Sequence, residues 1–201
     1  MKLGVIVEGH GDAAALPILI QRLVARHQIP GHIEILRPFR VPRSKLVKRQ
    51  EIARAVEFVA RQAGVEGPIL IVADADDDCP AELGPTLAAL AREARSDRHI
   101  GVVLAEREFE TWFVASVTSL AGQRGLPADL ERPNNPEALR GSKEWLSARM
   151  PTGYSETLDQ PAFAALMDLD QAMRVRSFAR LARMLEKLLS PATSDAEGPP
   201  T

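Results

Sequence analysis

The sequence predicts an α/β fold, a mostly parallel sheet covered by helices on both faces. Three observations carry this expectation. The runs Leu3-Gly4-Val5-Ile6-Val7, Ile69-Leu70-Ile71-Val72-Ala73 and Ile100-Gly101-Val102-Val103-Leu104-Ala105 contain no charged residue, which is the composition of strands buried on two sides. Stretches with apolar residues at helical spacing alternate with them, the order expected of a doubly wound sheet. Each run also halts at glycine or at acids, which separates strand from connection.

Taken in order, the first strand ends at Glu8-Gly9-His10-Gly11-Asp12. Asp12 suits the N-cap of a helix to about His27, with Leu16, Leu19, Ile20, Leu23 and Val24 on its apolar face, and Pro17 is tolerable there only within the first turn or so. A second strand, Ile33 to Leu36, leads into a proline-punctuated basic loop. Gln50 to Ala63 then forms a helix with Ile52, Ala55, Val56, Val59 and Ala60 on one face. The third strand, Ile69 to Ala73, precedes a Leu/Ala-rich helix from Pro85 to Ala94. The fourth, Ile100 to Ala105, precedes a helix from Phe109 to Leu120. Beyond Gly122 the prolines Pro127, Pro133, Pro136 and Pro151 punctuate a loop-rich stretch with a short helix near Ser142 to Met150, and an amphipathic helix covers roughly Ala172 to Leu189. The expected organisation is a core over 1–122, a helical extension packed on it over 123–189, and a disordered polar tail over 190–201.

Composition limits the function classes. A chain of 201 residues suffices for one well-buried domain and is short for two. Its 45% hydrophobic and 26% charged residues are those of a soluble globular protein, and a net charge of −2 conceals an uneven distribution. One cysteine, Cys79, cannot form an internal disulfide and indicates a reducing, cytoplasmic setting. Glu8 and Asp12 interrupt the N-terminal apolar run before it reaches the length of a signal segment or membrane span, so no membrane association is expected.

The acids carry the functional signal. In open α/β sheets the working residues collect at the carboxyl ends of the strands. Here the first strand ends in Glu8 with Asp12 close behind, the third in Asp74 and Asp76, and the fourth in Glu106, Glu108 and Glu110. Residues two apart on an extended chain point the same way, so Asp74 and Asp76 can face one centre. Carboxylates that close repel unless a cation lies between them, and an all-oxygen donor set suits Mg²⁺ or Mn²⁺. Asp77 and Asp78 read as caps of the following helix, Glu110 as part of a helix, His10 as an exposed loop residue, and Cys79 as a small buried one without a basic partner to activate it.

The pairing of "VIVEGHGD" with "IVADADDD" resembles the toprim domain of topoisomerases, bacterial primases, small ribonucleases and nucleases related to the overcoming-lysogenization-defect proteins. Together with "RVPRSKLVKR", "VVLAEREFETWF", "RGLPADL", "GSKEWLSARM" and "YSETLDQPAFAALMDL", it resembles more narrowly a bacterial family of small toprim-like proteins of unassigned function. The resemblance implies a toprim-like, Rossmann-like fold. It also implies that Glu8 is the general acid or base or a metal ligand, that Asp74 and Asp76 are the metal-binding pair, and that Asp12 helps to hold a second metal. Glu106 or Glu108 would supply a further acid and Lys143 the lysine near the scissile phosphate. The expected activity is a Mg²⁺- or Mn²⁺-dependent nuclease or related phosphoryl transfer. Such families often act in bacterial defence beside an AAA or SMC-like ATPase, and no Gly-x-x-x-x-Gly-Lys loop is present to supply ATP hydrolysis in this chain. Tyr154, the one tyrosine, lies in a loop-like stretch, which argues against strand passage.

A phosphodiester substrate also needs cations. The segment "RPFRVPRSKLVKR" supplies Arg37, Arg40, Arg43, Lys45, Lys48 and Arg49 without an acid, after the second strand and hence at the same sheet edge. A second group, Arg174, Arg176, Arg180 and Arg183, reads as an exposed face of the last helix or a partner surface. Two other functions compete. One is a non-catalytic toprim-like subunit that binds an ATPase or nucleic acid. The other is a phospho-acceptor domain, which would want an acidic pair after the first strand and is poorly matched by Glu8-Gly9-His10-Gly11.

Overall fold

In the computed structural model, residues 1–190 are described, and the tail expected beyond Ser190 lies outside them. Five strands form one parallel sheet: β1 (Lys2–Val7), β2 (Glu34–Ile35), β3 (Phe39–Arg40), β4 (Ile69–Asp74) and β5 (Ile100–Ala105). Both β2 and β3 pair with the same side of β1, at Leu3↔Ile35 and Val7↔Arg40, so the order across the sheet is β2/β3, β1, β4, β5. The basic stretch expected as a loop therefore contains a short edge strand, followed by the single turn α2 (Arg43–Leu46).

Alternation along the strands divides the core in two, as period-two side-chain placement requires. Val5, Val7, Leu70, Val72 and Val103 face one layer. Ile6, Ile69, Ile71, Val102 and Leu104 face the other. The second layer is completed by α3 (Arg49–Ala63) and α4 (Pro80–Ala94). The first is built from α1 (His10–Arg26), α5 (Thr111–Ala115), α6 (Val117–Leu120), α7 (Ser142–Ser147), α8 (Asp159–Leu166), α9 (Leu169–Ala172) and α10 (Arg176–Leu189). An aromatic chain runs through it: Trp112 meets Phe178 edge-on at 5.4 Å, and Phe113 meets Phe163 at 5.7 Å. The Trp112 indole N–H donates to Ser177 Oγ at 2.9 Å, which satisfies the polar end of a fully buried ring. Close approach of α10 to the sheet requires Gly101, since a Cβ there would lie 2.5 Å from Met184 Sδ.

Several boundaries differ from the expectation for local reasons. α1 starts at His10 with Gly9 rather than Asp12 at its N-cap, three residues early, so Pro17 lies in its interior rather than its first turn. Burial of Ala15, Leu16, Leu19, Ile20 and Leu23 outweighs the backbone hydrogen bond that proline forgoes. α4 begins at Pro80, a residue suited to a first helical position, and Pro85 falls inside it. The helix expected over Phe109 to Leu120 is broken at Ser116, whose hydroxyl donates to the carbonyls of Trp112 and Phe113. α8 falls in a stretch read as loop-rich. Among the described residues no helix is long and apolar enough to cross a membrane.

Because Phe178 ties α10 to α5 through Trp112, Phe178→Ala should cost about 3–5 kcal/mol. Urea unfolding should show this as a lower midpoint with an unchanged slope.

Candidate acidic active site at the carboxyl edge of the sheet

Two adjacent strands and the turn after a third bring the acids together. β1 delivers Glu8, β4 delivers Asp74, the first turn of α1 places Asp12, and the turn after β5 places Glu110 just ahead of α5. Asp12 is buried and fixed at both oxygens: Oδ2 accepts from the Gly9 N–H at 2.8 Å and Oδ1 from the Gln160 amide at 2.6 Å. Gln160 lies on α8, and Gly11 is what lets it approach, since a Cβ there would fall 1.8 Å from Gln160 Oε1. Glu8 Oε2 is buried and has no hydrogen-bond partner.

Loss of water and mutual repulsion show in the acid strengths. Burial, then the charges of Asp76 and Asp12, push the Glu8 carboxyl up to about 7, with the Arg43 guanidinium opposing. Burial raises Asp12. Burial and the charges of Asp12, Glu110, Glu8 and Asp76 hold Asp74 well above the usual carboxylate range. Burial raises Glu110 to about 7, with the Lys143 ammonium opposing and Asp12 and Glu108 adding to the rise. Lys143 donates to Glu156 Oε1 at 2.5 Å. Burial alone would lower its pKa, but that bond and the charges of Glu110, Glu156 and Asp74 hold the ammonium firmly protonated. The Tyr154 hydroxyl is buried without a hydrogen-bond partner, and burial followed by the charge of Glu110 raises its pKa.

The expected site residues are distributed as follows. Glu8, Asp12 and Asp74 come together, with Lys143 among them. Asp76 is largely exposed and in the left-handed region, φ 51°, with its N–H donating to the Arg107 carbonyl at 2.9 Å; the strand has already ended at Asp74, so the extended-chain reasoning does not hold beyond it. Glu108 accepts from the Lys143 backbone N–H at 3.0 Å. The Glu106 side chain forms no hydrogen bond or ion pair among the described residues. No group of three or more His, Cys, Asp or Glu side chains among them stands at metal-binding spacing. Asp77 and Asp78 do not cap α4, whose N-cap is an exposed Cys79 rather than the buried cysteine expected. Asp78 instead pairs with Arg43, and Asp77 with Arg107 and Arg140.

Of the cations, Arg43 is turned inward, 15% exposed, with Nε 3.6 Å from Asp76. Arg49 pairs with Glu93. Arg37, Arg40, Lys45 and Lys48 are exposed and form no ion pair among the described residues. Arg37 and Arg40 share a cleft of about 370 Å³ with the exposed His10 at the start of α1. Arg174, Arg176, Arg180 and Arg183 are exposed. Sequence reading missed Glu110, Glu156 and Gln160. Only the run of acids after β5 hinted at the first, and the other two reach the site through tertiary packing alone.

A model of the family described as a domain of unknown function, DUF4276, matches residues 7–186. No curated protein and no solved structure matches the chain.

The pKa shifts predict how stability varies with pH without metal. In the folded protein Glu8 and Glu110 titrate near 7, against an ordinary value of 4.5, so folding retains protons that the unfolded chain releases. Their contribution is full below pH 4.5 and is lost as pH rises through about 7. Thermal melts in chelator should give a higher Tm at pH 5.5 than at 7.5. Glu110→Gln should flatten that slope and raise Tm at pH 7.5, by roughly 2–4 °C for each kcal/mol of repulsion relieved.

Proposed function

The chain belongs to the DUF4276 family, and we propose that the acidic cleft of this member is a toprim-type Mg²⁺ or Mn²⁺ centre that cleaves phosphodiester bonds in nucleic acid. The reading is carried by one observation: Glu8, Asp12, Asp74 and Glu110 are packed where their charges repel, and Glu8 keeps a buried oxygen that no donor satisfies. Carboxylates are hard oxygen donors suited to these ions, and a cation would answer both the repulsion and the unsatisfied oxygen. Drawn together from their present wider spacing, Glu8, Asp12, Asp74 and Asp76 would hold it. Bound there, it would supply Lewis-acid polarisation of a phosphoryl oxygen and acidify a water.

The side chains do the rest. Glu8 could instead stand free of the cation and take the proton of the attacking water, a role that its raised pKa favours. Lys143, held by Glu156 beside Asp74 and Glu110, meets the negative charge that builds on the phosphate. Gln160 and the Gly9 N–H keep Asp12 in one orientation. Arg37, Arg40, Lys45 and Lys48 form the sequence-independent track for the phosphate backbone. A cytoplasmic ATPase of the AAA or SMC-like class is the partner this reading anticipates.

Wild-type protein should nick supercoiled plasmid or cut labelled RNA in Mg²⁺ or Mn²⁺. Chelator, Asp74→Asn and Asp76→Asn should stop it, and Glu8→Gln should slow it by about 10²–10⁴-fold. Independently of activity, Mn²⁺ should raise the Tm of the wild type and not of Asp74→Asn, with about 2.7 kcal/mol gained at a concentration 100 times Kd. A Tm that no divalent ion moves would sink the metal centre. A metal-dependent Tm without cleavage would favour the non-catalytic subunit.

A further inference from the structure

Asp77 is held differently from the acids around it. Its Oδ1 accepts from Arg107 Nη1 at 3.2 Å and from Arg140 Nη1 at 2.8 Å, so two guanidinium groups converge on one oxygen. The two arginines come from separate segments. Arg107 follows β5 in the left-handed region, φ 65°, and Arg140 precedes Gly141, which is left-handed at φ 69°. With Asp76, Asp77, Glu108 and Gly141 they line a cleft of about 160 Å³ beside the acidic site.

Stability does not account for this arrangement. Asp77 and Arg140 are 77% and 72% exposed, and exposed ion pairs contribute little to folding. Two cations pointed at one spot repel unless an anion lies between them. A single carboxylate oxygen uses little of what two planar guanidinium groups offer, whereas a phosphate presents several oxygens to paired N–H donors. Arg107 Nε is moreover buried without a partner, a donor that Asp77 leaves unused.

Position gives the arrangement its meaning. Across the carboxyl edge of the sheet come Arg40 on β3, Glu8 on β1, Asp74 on β4 and Arg107 after β5. The acids are thus flanked by cations on both sides, and a phosphodiester chain crossing them meets arginines before and after. We propose that Arg107 and Arg140 are a phosphate clamp for the nucleic-acid strand leaving the acidic site, and that Asp77 occupies the clamp until the strand displaces it. This rests on the reading of the substrate as nucleic acid.

The test is binding of a short fluorescein-labelled oligonucleotide, single-stranded DNA and RNA in parallel, by the full chain in chelator, so that cleavage plays no part. Arg107→Ala should weaken binding about 10-fold and lower the slope of log affinity against log salt by about 0.7. Arg140→Ala should act in the same direction. Asp77→Asn, which removes the competing charge and keeps the shape, should tighten binding about 3- to 10-fold. Matching melting temperatures would show that the variants fold. Wild-type binding that neither arginine variant alters, or that Asp77→Asn weakens, would overturn the clamp while leaving the nucleic-acid reading standing. Absence of any wild-type binding would overturn both.

Discussion

Glu8, Asp12, Asp74 and Glu110 repel one another where water is scarce, and much of the molecule's polar structure is arranged around that repulsion. Lys143 is brought in from α7, Gln160 from α8, and Arg43 is turned inward from the edge of the sheet. Each answers part of the charge. The Glu8 oxygen is nevertheless left without a donor, and most buried polar atoms do not remain in that state. An apolar cluster of the same volume would be easier to bury, so the acids make sense as a site rather than as packing.

What the sequence made legible was whatever is written locally. β4 and β5 were read within a residue of their observed ends, because uninterrupted apolar runs admit few interpretations at that length. The strand-end acids followed from the same reading, since the carboxyl edge of a parallel sheet is fixed once the strands are. Glu110 is harder: it reads as part of a helix, whereas it stands at the N-cap of α5 and is buried. Gln160 and Glu156 carried no local mark at all. The edge strand β3 was hidden inside a basic, proline-rich segment whose composition says loop.

Charge on the surface of this protein is organised in bands rather than patches. The acids occupy the middle of one sheet edge, with exposed cations beyond β1 on one side and the arginines after β5 on the other. A near-neutral total conceals this. The field of such bands alternates in sign along the sheet edge, positive at the rims and negative at the centre.

The hydrogen bond between Gln160 and Asp12 spans 148 positions of the chain. During synthesis, therefore, β1 and β4 leave the ribosome long before the helix that orients Asp12 exists. Until α8 docks on α1, the nascent protein carries these acids without the amide that holds Asp12. Contacts of such sequence separation form late. Assembly of the acidic cluster is thus deferred until α8 has been made, and a chain cut short before α8 lacks the group that orients Asp12.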